Sequence, residues 1–275
     1  MSQNNSLSRR GFLQGGALLA AASTVGFSGM FGVSSAFAAD NGDSIPDMLN
    51  IAATAEAFAV THYFRALDAT TTKAKFDPKD VAYFQAALES EQAHLDFLMS
   101  NGGKPLTTEF YFPVGTFDTT QAFGLVTSIA ETVFVGAYLA ATRRFAELGQ
   151  PLLAATAAQV ATIEAQHLAL VRDTGGLFPN NIALGAPVFY NVSEAVPVVS
   201  PLLSGKKGAL GDMETAKYKL PSKDDVMKAV GKSMLVAKLD APFNTLIVPF
   251  TSVKAPAMSS ATMAATMAAT MAATK

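Results

Sequence analysis

The sequence predicts an all-α fold: an antiparallel four-helix bundle with a long crossover between helices 2 and 3, followed by a Pro-rich extension with little regular structure. Three observations predict it. Four amphipathic segments begin with helix-start signals, the links between them run short, long, short, and the two halves of the bundle repeat one another. The chain divides into a leader (1–38), the bundle (39–176), the extension with one short helix (177–257) and a low-complexity Met/Ala/Thr tail (258–275).

Ser44, three residues before Asp47, can cap a first helix reaching about Leu67. Asp77-Pro78-Lys79-Asp80 supplies a cap, a helix-compatible proline and an acidic third position for a second, which ends near Gly102-Gly103. Asp118 followed by Gln121 opens a third helix to about Leu148, and Pro151 opens a fourth that ends at Gly175-Gly176. The first and third links are short enough to make antiparallel neighbours, whereas the stretch from Gly103 to Phe117, rich in Pro and aromatics, separates the two pairs.

A shift of 73 residues carries Glu91 onto Glu164, His94 onto His167 and Gly102-Gly103 onto Gly175-Gly176. A shift of 75 carries Glu56 onto Glu131, Val60 onto Val135 and Tyr63 onto Tyr138. The halves read as copies of one helical hairpin, and stacking them face to face brings any repeated residue set together on a pseudo-twofold axis.

Beyond Leu177 the prolines at 179, 187, 197, 201, 221, 242, 249 and 256 are expected to break any long element. One further helix is expected, capped by Ser222 with Asp225 at its third position and Val226, Val230, Met234 and Ala237 on one face. The repeated Thr-Met-Ala-Ala tail reads as inert and frayed.

Half of the 275 residues are hydrophobic, so a large core is available, and the formal net charge is -2 with Lys and Arg scattered, which argues against a nucleic-acid partner. The absence of Cys removes disulfides and thiolate ligands, leaving carboxylates and three His, at 62, 94 and 167, as the strong metal ligands. The leader has a basic start with Arg9 and Arg10, a charge-free stretch and an Ala36-Phe37-Ala38 cleavage site, and Ser8-Arg9-Arg10-Gly11-Phe12-Leu13 resembles the twin-arginine export signal. That resemblance implies an exported, periplasmic protein. No later charge-free run stays apolar over the ~18 residues of a spanning helix, so a membrane is expected only through an uncleaved signal.

Glu91-x-x-His94 and Glu164-x-x-His167 each put a carboxylate and an imidazole on one helix face a turn apart, where both can reach one ion. A single such pair is more often a solvated surface. Here nine Glu in 275 positions put one three residues before a given His roughly one time in thirty, yet two of three His have it, at equivalent places in the repeat. The neighbours of Glu56, Glu91, Glu131 and Glu164 are apolar, and none of the four has Lys or Arg three or four residues away, unlike Glu147 beside Arg143 and Arg144. Four buried carboxylates would repel one another, whereas two divalent cations with two neutral imidazoles make a formally neutral set. Carboxylate and imidazole donors without thiolate suit two Fe or two Mn ions.

The order Glu, Glu-x-x-His, Glu, Glu-x-x-His over residues 45–176 resembles the ferritin-like superfamily. With the export signal and the Pro-rich extension, the chain is similar to bacterial exported ferritin-like, desiccation-associated proteins. The resemblance implies that Glu91 and Glu164 bridge two metals, that Glu56 and Glu131 are terminal or bridging ligands, and that His94 and His167 are terminal ones. It also implies that Tyr63 and Tyr138 hydrogen-bond carboxylates. Ser90 and Ile163 stand where some di-iron oxygenases carry Asp, which argues against oxygenation of organic substrates, and His62, about 120° off the Glu56 line, is expected at the surface or an interface. The expected partners are metal ions with O2 or peroxide, as in a ferroxidase, peroxidase or catalase, and a homo-oligomer is open. The alternative is a non-catalytic stress-related protein with a stabilising metal site.

Overall fold

The computed structural model describes residues 42–205, 214–233 and 235. The leader, Met234, Ala237 and the tail discussed above lie outside them. Four long helices dominate: α1 (Ile45–Leu67), α2 (Pro78–Ser100), α3 (Thr120–Glu147) and α4 (Pro151–Thr174). Ser44 Oγ accepts the Asp47 amide to cap α1, and Asp77 accepts the Lys79 amide ahead of Pro78 to cap α2. The start of α3 differs from expectation by one residue. Thr119 accepts the Ala122 amide as its cap, while Asp118 turns away to pair with Lys73 at 3.1 Å.

α2 packs along α1 and α4 along α3, and the two hairpins meet through α1 against α3 and α2 against α4. The α3–α4 hairpin is the tighter one. A Cβ at Gly124 would lie 2.5 Å from Gly175 Cα, so the start of α3 and the end of α4 approach as closely as only glycine allows. By length and composition α3 could cross a membrane, but 61% of its most apolar window is buried inside the bundle.

Residues 101–119, between the hairpins, carry an element that periodicity did not disclose. β1 (Glu109–Pro113) pairs antiparallel with β2 (Thr215–Lys219), with Glu109 opposite Lys219 and Pro113 opposite Thr215. Phe110 and Phe112 alternate inward, fully buried, and stack around Phe58 of α1.

The extension also has more regular structure than its prolines suggest. A 3-10 turn (Val192–Glu194) leads into α5 (Ala195–Ser204), which contains both Pro197 and Pro201. Pro197 lies in the first turn, where an amide has no helical acceptor, and the Pro197 carbonyl, which Pro201 cannot serve, accepts the Ser200 hydroxyl instead. The last helix, α6 (Lys223–Val230), starts at the Ser222 cap as expected but ends at Gly231, where φ is +70°, well short of Ala237. It docks on α2, where Gln85 donates to the Ala229 carbonyl and Lys223 reaches Asp96 at 2.6 Å.

Candidate metal centre

The six ligand candidates come from one level of the bundle, one or two per long helix, because the repeat places Glu56 and Glu131 mid-way along α1 and α3 and the Glu-x-x-His pairs facing them on α2 and α4. Their relative exposures, 0% for Glu91 and Glu164, 1% for Glu131, 2% for Glu56, 4% for His94 and 5% for His167, put all of them in the dry interior. Two overlapping groups form. Glu56, Glu91, His94 and Glu164 offer donor atoms within 4.8 Å of one another, as do Glu91, Glu131, Glu164 and His167. Glu91 and Glu164 belong to both groups, while Glu56 and Glu131 belong to one each, which separates central carboxylates from outer ones.

Each imidazole turns Nδ1 inward. His94 Nδ1 lies 3.5 Å from Glu56 Oε2, 3.3 Å from Glu91 Oε2 and 3.5 Å from Glu164 Oε1. His167 Nδ1 lies 3.2 Å from Glu164 Oε2 and 2.7 Å from Glu91 Oε1, the latter within ion-pair distance but without hydrogen-bond alignment. On the outer side of His167, Nε2 is 3.3 Å from Ser90 Oγ, and that hydroxyl donates to the Ala87 carbonyl. Ser90 therefore accepts from Nε2–H, so that in the metal-free site the protonated Nδ1 faces Glu164 and Glu91, and loss of that proton would free the Nδ1 lone pair for a metal.

The outer carboxylates are held across the hairpin boundary. Tyr63 of α1 donates to Glu131 Oε1 of α3 at 2.7 Å, and Tyr138 of α3 donates to Glu56 Oε1 of α1. This reciprocal pair is what a pseudo-twofold axis requires. One oxygen of each outer Glu is thereby fixed and the other is left to face the centre.

Residues 45–176 match the family model described as a ferritin-like domain. Over these residues the bundle is similar to a ferritin-like domain. No curated protein and no solved structure matches the chain.

Whether a metal pair suits this bundle is decided by its buried oxygens. Both Glu91 carboxylate oxygens, Glu131 Oε2 and Glu164 Oε1 are buried without a hydrogen bond from the protein. Such oxygens are costly unless a cation serves them, and donors that are all carboxylate and imidazole are compatible with a dinuclear site. Without metal, protons have to do the neutralising. Burial first, then the charges of Glu164 and Glu91, hold the Glu56 carboxyl well above the usual carboxylate range, and burial with Glu164 does the same to Glu131. Burial opposes ionisation of Glu91, but the His167 charge overcomes it and holds that carboxyl below its usual range. Burial likewise disfavours protonated His94 and His167, yet Glu56 beside the first and Glu91 beside the second raise both imidazoles.

His62 is not at the surface. It is 1% exposed, sandwiched between Phe58 and Phe123 with Phe112 and Phe117 against its edge, and its Nε2 is 2.7 Å from Thr127 Oγ1. The face of α1 that carries it is covered by β1 and by the segment leading into α3, a layer that helix periodicity alone does not show. Two contacts at the site also escaped the sequence: Ser90 on His167, and the Tyr83 ring, whose centroid is 6.3 Å from that of His167. Ser90 follows no repeat, since Ile163 is its counterpart, so only the fold could reveal its partner.

Proposed function

We propose that this chain is an exported dinuclear metal protein, holding two Fe or two Mn ions, that consumes O2 or peroxide in protection against stress. The observation that carries the proposal is the pair of overlapping ligand groups sharing Glu91 and Glu164, with buried carboxylate oxygens that receive no hydrogen bond from the protein. Export rests on the leader sequence alone, through Ser8-Arg9-Arg10-Gly11-Phe12-Leu13.

Glu56, Glu91 and His94 with Glu164 would hold one ion, and Glu131, Glu164 and His167 with Glu91 the other. A bound Fe or Mn pair would supply reversible redox chemistry that no side chain here can supply. The chain's own residues do the rest. Tyr63 and Tyr138 fix the outer carboxylates, Ser90 fixes the ring of His167, and the surrounding helices keep bulk water from the six donors. Glu56 and Glu131, which burial makes reluctant to ionise, hold protons until a cation displaces them.

The test is metal analysis of folded protein from its native compartment, paired with O2 and peroxide consumption. Two Fe or two Mn per chain with turnover is the expected result. Stoichiometric metal without turnover would instead support a structural, stress-related protein, a reading favoured by the way α5 and the β1–β2 ribbon wrap the bundle. Folded protein that takes up neither metal would overturn both readings.

A further inference from the structure

The two flanks of the metal centre are related by the repeat but are not alike. The shift of 75 that carries Tyr63 onto Tyr138 also carries His62 onto Ala137, and carries Met48 onto Phe123; the shift of 73 carries Tyr83 onto Thr156 and Phe84 onto Ala157. Around Tyr63 the larger members fill space. Phe84 and Phe123 meet at 4.9 Å between ring centroids, His62 and Phe123 at 4.9 Å, and Tyr83 and Phe84 at 5.6 Å. Around Tyr138 the smaller members, Met48, Ala137, Thr156 and Ala157, leave a cavity of about 70 Å³. That is several times the roughly 10–15 Å³ that one water needs, and is room for a slender chain.

Its shape and lining are specific. Met48, Ile51, Ala52, Ala55 and Phe58 line it as one stripe of α1, so the space runs along the helices for ten residues, ~15 Å at the rise of an α-helix. α5 roofs it with Val196, Val199, Leu202 and Leu203, and the exposed Leu106 stands at its edge. Among the described residues no Lys, Arg, Asp or Glu forms its wall. The hydroxyls that reach it are already engaged. Thr54 donates to the Asn50 carbonyl and accepts the Leu106 amide, Thr156 donates to the Leu152 carbonyl, and Tyr138 donates to Glu56. At the inner end the wall is His94 and Tyr138, a candidate metal ligand and the partner of another.

We propose that this cavity binds an uncharged, elongated carbon-chain molecule, held with one end beside His94 and Tyr138. Walls with no free donor or acceptor offer nothing to a sugar, a nucleotide or a carboxylate head, whereas an alkyl chain needs only apolar contact. Dioxygen alone does not need an apolar space of this length. The inference takes from the metal reading only the identity of what lies at the inner end; binding itself depends on the apolar walls.

The repeat supplies the test, because the fold already accommodates Phe at the position equivalent to Ala157. Full-length protein, metal-loaded and chelated, is titrated with the uncharged fluorophore N-phenyl-1-naphthylamine and the probe is displaced with n-dodecanol, while metal content is measured in parallel. One saturable, dodecanol-displaceable site per chain is expected in both forms, with Ala157→Phe weakening it at least tenfold and leaving the metal content unchanged. Thr156→Tyr, which copies Tyr83, is the second variant should Ala157→Phe not fold, and Leu139→Ala on the exposed face of α3 should bind as the parent does. Absence of saturable binding, or a folded filled variant that binds like the parent, overturns the proposal. Metal without probe binding removes this inference alone; probe binding without metal uptake removes the metal reading alone.

Discussion

The flank of the candidate metal centre beside Tyr63 is packed with rings, and the flank beside Tyr138 is open. Both are built from the same hairpin, and both keep the residues that face the centre: Glu56 with Glu131, Glu91 with Glu164, His94 with His167, Tyr63 with Tyr138. What has diverged is one layer further out, where His62, Tyr83 and Phe84 of the first half stand against Ala137, Thr156 and Ala157 of the second. The lesson is that the repeat keeps the six clustered candidates in both halves, while the surrounding layer closes one approach to them and leaves the other open.

The comparison breaks most severely at its shared centre. Glu91→Ala and Glu164→Ala should each abolish binding of both ions, with losses beyond the roughly 10–100-fold that follows loss of an outer partner, whereas Glu56→Ala and Glu131→Ala should each weaken mainly one. Titration with Fe(II) or Mn(II) under anaerobic conditions reads the difference, and equal loss from all four variants would refute the division into central and outer carboxylates. Next comes Phe84→Ala, which opens on the first flank the space that Ala157 leaves on the second. Phe84 is fully buried, so a cost of about 3–5 kcal/mol is expected in denaturant unfolding, and a cost under about 1 kcal/mol would mean that the ring cluster is not tightly packed.

His62 gives the first flank a pH dependence that Ala137 cannot give the second. Burial lowers its imidazole from 6.5 to about 3. Above pH 6.5 neither folded nor unfolded protein holds this proton and the full stability is present. As the pH falls from 6.5 toward 3, the unfolded chain takes up a proton that the folded one refuses, and stability is lost at about 1.4 kcal/mol per pH unit. The unfolding free energy of His62→Gln should fall less steeply than the parent's between about pH 6 and 4, and parallel curves would show that His62 does not titrate in this way. The smallest effect should be that of Ser90→Ala. Freeing the Nε2 side of His167 should weaken metal binding roughly tenfold, while Ile163→Ser on the other hairpin should change little.

Much of the donor set was legible because it is written locally. The Glu-x-x-His pairs lie on single helix faces, the caps at Ser44 and Asp77 adjoin the helices they start, and the seven-residue steps from Glu56 to Tyr63 and from Glu131 to Tyr138 put each Tyr on the same helix face as its Glu, about two turns along. Which carboxylate each Tyr holds was not legible, since the bonds run between hairpins, 68 and 82 residues apart. The burial of His62 escaped for the same reason: apart from Phe58 on its own helix, its cover comes from Phe112, Phe117 and Phe123, far along the chain. β2 is a five-residue strand whose partner lies over a hundred residues earlier, and α5 hides behind two prolines that its own Ser200 and first turn accommodate. The cavity was legible only in hindsight, as small residues at positions whose repeat partners are large.

The most direct test of the account is anomalous diffraction from crystals of full-length protein loaded with Mn(II) or Fe(II). Two peaks are predicted, one among Glu56, Glu91, His94 and Glu164 and one among Glu91, Glu131, Glu164 and His167. A folded bundle with no metal peak between its helices, or with metal only on its surface carboxylates, would contradict it.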